Sequence, residues 1–365
     1  MPACPSGVKY DVLIEETRAR IEERYRRGPL DRLHRGLVFT LFPYPRRLEA
    51  LAAILVIYTK SGLQKLLRRS GLLRLIPARF AQLEALLPDV SSRHVAAAVP
   101  AVTLAAGARR FRVGLLTGCV QRVFFPEVNK ATLRVLSAEG CEVVAPSEQG
   151  CCGALSIHAG RAAESKRMAR DLIRAFDSEK DIERLDAILV NAAGCGSHLK
   201  DCGRLFANDP ELAGRAAAFS AKVRDVTEFL ASIPPVAQRH PVQARVAYHD
   251  ACHMAHAQRI KEAPRKLLAS IPGLTLLEIP DGEQCCGSAG IYNLIQPESA
   301  DEIGARKVEN VLAAQPDLLA SANPGCTLQI QKLLRERRIT LRAAHPIEIL
   351  AASIDGGTAT APRSL

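Results

Sequence analysis

The chain has little that would carry it out of the cell or through a membrane. No stretch near residue 1 combines a basic start, a short apolar run and a small-residue cleavage site, so secretion is not expected. The apolar run Leu51 to Tyr58 falls well short of the roughly 20 residues that span a bilayer. A cytoplasmic location is the expectation, with any membrane attachment peripheral, on the inner face of the cell membrane. Gly-x-Gly-x-x-Gly and P-loop patterns are absent, which removes support for a dinucleotide site of that type and for nucleotide hydrolysis. A His-Glu-x-x-His metalloprotease pattern is absent as well.

What is present points to metal. The 365 residues are 48% hydrophobic and long enough for two or three domains with a real core. Eleven cysteines in a chain with no export signal argue for metal ligation or redox chemistry over disulfides. The net charge of +11 is unevenly placed: residues 1–110 hold 19 Lys/Arg against 9 Asp/Glu, and the remainder 30 against 29. The basic third lacks zinc-finger and RNP-like motifs and interleaves its charges with leucines at helical spacing. That pattern suits an acidic protein face or an anionic membrane, and no nucleic-acid partner is expected. A plain solvated helical surface is the alternative.

Self-similarity organises the rest. Cys119, Cys151, Cys152 and Cys195 recur as Cys252, Cys285, Cys286 and Cys326, displaced by 131 to 134 residues. Each set follows the same alternation of apolar runs and helical periodicity. In the first, strand candidates are 112–117, 141–145 and 187–190, with helices carrying Val128, Ala131 and Val135, then Ala169, Leu172, Ile173 and Phe176. In the second, the strands are 245–248, 274–279 and 317–321, with a helix bearing Val308, Val311 and Leu312. Such alternation implies parallel sheets with ligands beyond the carboxyl ends of the strands, where all eight cysteines fall.

The fold class is therefore α/β: two lobes with parallel sheets, related by a pseudo-twofold axis and preceded by a helical N-terminal region. The expected division is 1–108 helical, 109–235 first lobe, 242–354 second lobe and 355–365 a disordered tail. Tyr10, Ile14, Ile21 and Tyr25 are expected on one helical face, and Leu48, Leu51, Leu55 and Tyr58 on another, with Pro43, Pro45, Pro77 and Pro88 as breaks.

Four thiolates complete one cubane iron-sulfur cluster or one closed zinc site. An adjacent Cys-Cys pair in a glycine turn favours the cluster, since closed zinc sites more often use Cys-x2-Cys, and Gly153 and Gly287 let the backbone approach an inorganic sulfide. Cys141 and Cys202, which have no repeat partner, read as buried core residues.

Residues Leu115 to Gln121, Tyr248 to His256, Gln284 to Pro297 and Ala322 to Cys326 together resemble the cysteine-rich CCG domain family, to which a subunit of heterodisulfide reductase belongs, and within it the iron-sulfur subunits of glycolate oxidase. The similarity spans nearly the whole chain. It implies that the eight cysteines ligate iron-sulfur clusters of the 4Fe-4S type, with zinc in one lobe as the other option. Cys4, followed by Pro5, is similar to the last cysteine of a ferredoxin motif (residues 4–10) and reads as an orphan ligand, most of the ferredoxin domain being expected to be missing. Heterodisulfide reductase lobes close with Cys-x2-Cys, whereas here His198 and Gln329 stand in the last place, which favours four-thiolate sites. His198 reads as a surface group or one that hydrogen-bonds near the cluster, with a fifth ligand in one lobe as the lesser option; His249 and His253, and with them His256, read as hydrogen-bonding neighbours that tune cluster potential, with plain core packing as the alternative.

The resemblance further implies division of labour. FAD belongs to partner subunits of glycolate oxidase, which oxidise glycolate to glyoxylate; this chain, with no catalytic residues of its own, passes the electrons toward a quinone or other membrane acceptor. The basic helices with Lys60, Lys65, Arg68, Arg69 and Arg74 beside Leu63, Leu66, Leu67 and Leu72 are the expected docking surface. The rival readings are a subunit of a lactate or glycerol-3-phosphate oxidising system, and a degenerate zinc-binding or assembly scaffold.

Overall fold

The computed structural model describes residues 8, 10–88, 98–177 and 182–356, so Cys4 and the tail from 357 onward lie outside the described residues. Among the described residues, nine short strands form two sheets. The first sheet contains β1 (Val102–Thr103), β2 (Phe111–Leu116), β3 (Cys141–Val144), β4 (Ala187–Val190) and β5 (Val223–Asp225), in the order β1-β3-β2-β4-β5. The second contains β6 (Ala244–His249), β7 (Leu274–Leu277), β8 (Leu318–Ser321) and β9 (Arg342–Ala344), in the order β7-β6-β8-β9. All pairings are parallel except β1 on β3, which is antiparallel. Leaving aside β1, the two sheets run through the chain in the same order, so the cysteine repeat is also a repeat of topology.

Both faces of each sheet are covered, as continuous apolar strands require. Val113 and Leu115 of β2, with Ala187 and Leu189 of β4, face a core shared with the second lobe, which contributes Val246, Tyr248, Leu318 and Leu350. The alternate residues Leu116, Ile188 and Val190 face outward under Met168, Leu172, Ile173 and Phe176 of helix Ala162–Asp177. Gly114 sits beneath that helix, where a Cβ would lie 2.8 Å from the Phe176 ring. In the second lobe Ala247 and Leu319 turn to a separate outer core with Val308, Val311 and Ile330. The result is one buried seam between the lobes and one outer core for each.

Proline opens helices Pro126–Ala138, Pro297–Ala313, Pro324–Glu336 and Pro346–Ile354, where its missing N–H costs nothing. The last helix of each lobe is closed by a reciprocal cap: Thr227 N–H donates to Asp225 (2.8 Å) while Asp225 N–H donates to Glu228, and Ile347 N–H donates to His345 Nδ1 (3.1 Å) while His345 N–H donates to Glu348. Strands β1, β5 and β9 are not foreseen by the sequence pattern. They have two or three residues each, too few for period-2 alternation to show.

The N-terminal region is helical, with Tyr10–Arg24, Pro29–Leu41, Pro45–Lys60, Leu63–Ser70 and Ala78–Ala85. Leu48, Ala52 and Leu55 join the shared core. The apolar face of the first helix is not packed against a core: Tyr10, Ile21 and Tyr25 are exposed by 54%, 47% and 63%. Polar contacts hold it instead, with Arg18 donating to the His158 carbonyl at 2.7 Å and Glu15 lying 3.0 Å from His158 Nδ1. Among the described residues no single helix is long and apolar enough to cross a membrane; Pro45–Lys60 and Leu63–Ser70 reach that length and composition only as a pair bent by 71°.

Candidate metal centres

In each lobe the chain leaves the first strand toward one side of the sheet and the third strand toward the other, which opens a crevice between their carboxyl ends. Cys119 follows β2 and Cys195 follows β4; Cys252 follows β6 and Cys326 follows β8. The Cys-Cys-Gly turns after β3 and close behind β7 bring the remaining thiols to the same rims.

In the first lobe Cys119 Sγ and Cys151 Sγ are 3.4 Å apart, and Gly153 N–H donates to Cys151 Sγ at 3.4 Å. In the second lobe Gly287 N–H makes the same bond to Cys285 Sγ, again at 3.4 Å. Both glycines have positive φ, +91° and +87°. A Cβ at Gly287 would fall 2.2 Å from the Ala300 carbonyl oxygen, and one at Gly153 would fall 2.8 Å from that of Ser165. The glycine of each turn is thus required twice, by backbone angle and by the helix packed beneath it.

The thiols are too close to ionise together without a cation. The hydrogen bond that the Cys119 thiol donates to Cys151, with burial, holds it well above its usual range. In the second lobe the Cys252 and Cys286 thiols are likewise held high, by the neighbouring Cys285 in both cases, whereas hydrogen bonds from Cys252 and Cys286 hold the Cys285 and Cys326 thiols low. Four soft donors that must share charge at one rim are the ligand set of an iron-sulfur cluster or a closed zinc site. Asn323 donates to Cys326 Sγ at 3.2 Å. The wholly buried Lys307 ammonium, bonded to the Gly282 carbonyl at 2.7 Å, adds positive charge facing these thiols. By contrast Cys141 and Cys202 lie in the cores, where burial raises both thiols to about 12.

The histidines divide. His198 is buried, not a surface group: it lies three residues beyond Cys195 on helix Ala193–Lys200, its Nε2 is 3.3 Å from Ser165 Oγ, and burial depresses it to about 4. His253 Nδ1 lies 3.6 Å from Cys252 Sγ, and burial depresses this imidazole also to about 4. His249 is 1% exposed, and its donor nitrogen lies with the sulfurs of Cys286 and Cys326 in a group whose members are all within 4.8 Å of one another. His256 is half-buried on the short turn His253–Ala257.

Sequence reasoning missed His158 and Glu15. The His158 ring sits 4.8 Å from that of His253, bridging the lobes, and Glu15 brings the N-terminal helix to the same point. No spacing signal connects residue 15 with residue 158. Beside the first set of thiols lies a cavity of about 140 Å³, smaller than a typical small-molecule site. Phe42, Leu83, Leu155, Leu294 and Leu328 form apolar walls, and Cys119, His158 and His253 its polar end.

Comparison with known proteins agrees with this architecture. A model of the linker region of the glycolate oxidase iron-sulfur subunit matches residues 30–87, and a model of the cysteine-rich domain matches twice, at 113–200 and 246–331. The chain is 36% identical over 356 residues to the "Probable glycolate oxidase iron-sulfur subunit" of Bacillus subtilis (strain 168), covering 96% of this chain and 79% of that protein. It is 30% identical to the glycolate oxidase iron-sulfur subunit of Escherichia coli (strain K12), with the same coverage. Lactate utilization protein A of Oceanobacillus iheyensis is 30% identical over 249 residues, 68% of this chain and 100% of that protein. A crystal structure of a hypothetical protein from Helicobacter pylori shares the fold with a TM-score of 0.52 at 9% identity, over 69% of this chain and 52% of that one.

Proposed function

The chain belongs to the family of glycolate oxidase iron-sulfur subunits, and from that premise we propose that it relays electrons between a flavin-containing partner subunit, which oxidises glycolate to glyoxylate, and a quinone-type acceptor. The observation that carries this reading is the gathering of four cysteines at corresponding rims of the two lobes. When bound, an iron-sulfur cluster supplies one-electron storage there; four thiolates complete the ligand set of a 4Fe-4S or a 2Fe-2S cluster, and the family resemblance favours the former. Cys119, Cys151, Cys152 and Cys195 hold it in the first lobe; Cys252, Cys285, Cys286 and Cys326 hold it in the second. The glycine turns offer N–H donors to the sulfurs.

The apolar cavity supports the acceptor half of the reading, because a lipophilic molecule within it would lie beside the thiols of the first lobe. Exposed Leu63, Leu66, Leu72 and Leu75 lie among Lys60, Lys65 and Arg69 in the segment just before the cavity wall residues Leu83 and Leu86. That surface suits the anionic inner face of a membrane. The chain is thus a peripheral, cytoplasm-facing protein in this account.

Anaerobic reconstitution with the flavin subunit tests it. Glycolate is expected to reduce the chain's clusters faster than lactate or glycerol-3-phosphate, and the electrons to appear in a soluble quinone. Leu155→Trp, which fills the cavity, is expected to lower quinone reduction at least tenfold while reduction of a small water-soluble dye continues. Equal loss of both activities would remove the cavity from the account. Faster reduction by lactate would move the chain to the rival substrate, a reading that its similarity to lactate utilization protein A keeps open.

A further inference from the structure

The two rims share four cysteines but not their surroundings. Strands β2 and β6 superpose by the repeat, Phe111–Leu116 on Ala244–His249, so the counterpart of His249 is Leu116. Across the neighbouring strand, Leu116 pairs with Val190, whereas His249 pairs with Ser321. Two apolar residues at the rim of the first lobe are therefore replaced by two polar ones in the second. All four are buried.

Neither ring nitrogen of His249 makes a hydrogen bond of ordinary geometry, and Ser321 Oγ is also without a partner. A buried imidazole that has given up water and gained no partner is costly and calls for an explanation. The hydrogen-bonding neighbour in reach is Cys326, whose thiol the imidazole helps hold low, and that is itself a sulfur of the rim. Asp250, next in the chain, is engaged by Arg265 at 2.7 and 2.8 Å, and Lys307 donates to the Gly282 carbonyl. The sulfurs of Cys286 and Cys326 are what the imidazole does face, within 4.8 Å. A nitrogen and two sulfurs at that separation, all buried, match the span of ligands around one metal centre, and imidazole and thiolate commonly share such a centre.

We propose that His249 is a direct ligand of the metal group held by the second lobe, so that this lobe binds through nitrogen as well as sulfur while the first binds through sulfur alone. The proposal rests on the reading of the rims as metal centres. Where the neutral imidazole takes the place of one of the four thiolates on a metal atom, it raises the reduction potential relative to thiolates alone. The order of transfer follows: one electron leaves the first lobe's group, which is oxidised, and enters the second lobe's group, which is reduced. No bond or proton need change in that step. The second lobe is then the later station in the relay.

Electron spin-echo spectroscopy on the full chain in a Cys151→Ser background, which isolates the second lobe, tests the assignment. With ¹⁵N-histidine labelling the reduced cluster is expected to show a strong nitrogen coupling that changes with the isotope. The coupling is expected to vanish in His249→Leu, which copies the residue of the first lobe, and to persist in His253→Leu. His249→Cys, which keeps a donor in place, should retain metal without the nitrogen signal. In the chain with Cys151 intact, a redox titration should show the second lobe reduced first, with that order lost in His249→Leu. Co²⁺ bound to the metal-free chain reads the same nitrogen independently: if no cluster assembles, the relay reading fails while the ligand assignment is still decided. Absence of a strong histidine coupling with both probes, or its survival in His249→Leu, overturns the proposal.

Discussion

Gly287→Ala is expected to destabilise the chain by about 2–5 kcal/mol and to empty the second rim of iron. A left-handed backbone costs a residue with a Cβ roughly 1–2 kcal/mol, and forcing an extra carbon into a packed site typically about 1–3 kcal/mol more. Here the new carbon meets the Ala300 carbonyl oxygen at 2.2 Å, a backbone atom of helix Pro297–Ala313 that cannot swing aside. The turn must move, and with it Cys285 and Cys286. Gly153→Ala is expected to act likewise but less severely, since its contact is 2.8 Å from the Ser165 carbonyl. Gly150→Ala is the control, because φ there is not positive and nothing lies within 4 Å of the added carbon. Denaturant unfolding with iron analysis on the three variants reads the result; a Gly287→Ala chain as stable as Gly150→Ala would show that the turn is not the rigid element described.

Arg265→Met is the second change with a large expected effect. Asp250, between His249 and the Cys252 turn, is 6% exposed and held by Arg265 through two hydrogen bonds of 2.8 and 2.7 Å. The same guanidinium reaches Glu278 at 2.8 Å and stands 5.1 Å from the centre of the Tyr248 ring. Removing one partner of a buried pair leaves the other charge short of compensation, a cost of about 3–5 kcal/mol when the pair is fully buried and less here, where Arg265 is half-buried and the Lys307 ammonium also acts on Asp250. The loss is expected to be partly recovered by Asp250→Asn in the same chain, because the orphaned charge is then gone. Thermal unfolding of the single and double variants checks this. A double variant no more stable than Arg265→Met would mean that Arg265 acts by packing on Tyr248 and not by its charge.

The cysteine repeat is the most readable part of the sequence because its eight thiols must meet in space, and two copies of one fold preserve the spacing that makes them meet. The central strands are readable for a related reason: β4 is a fully buried, unbroken apolar run, and β2 and β8 are mostly apolar and buried, broken only by Arg112 and Gly114 in β2 and by Ser321 at the end of β8. Edge strands β5 and β9 are not, since three residues carry no period. The first helix misleads because its apolar stripe faces outward, while Glu15 and Arg18, which look like surface charges, anchor it at His158. For His198 the sequence leaves open a surface place or one beside the cluster, and its position one turn beyond Cys195 is what sets it over the same rim. The inequality of the two rims is hidden in the repeat itself: aligning cysteines draws the eye from Leu116 against His249.

The most direct test is analysis of iron and acid-labile sulfide in the anaerobically purified chain, together with electron paramagnetic resonance, on the wild type and on Cys151→Ser and Cys285→Ser. The account predicts iron and sulfide in equal amounts, with each substitution removing the share and the signal of its own lobe and leaving the other. Zinc alone, or no metal after attempted cluster reconstitution, would contradict it and leave a scaffold in place of an electron carrier.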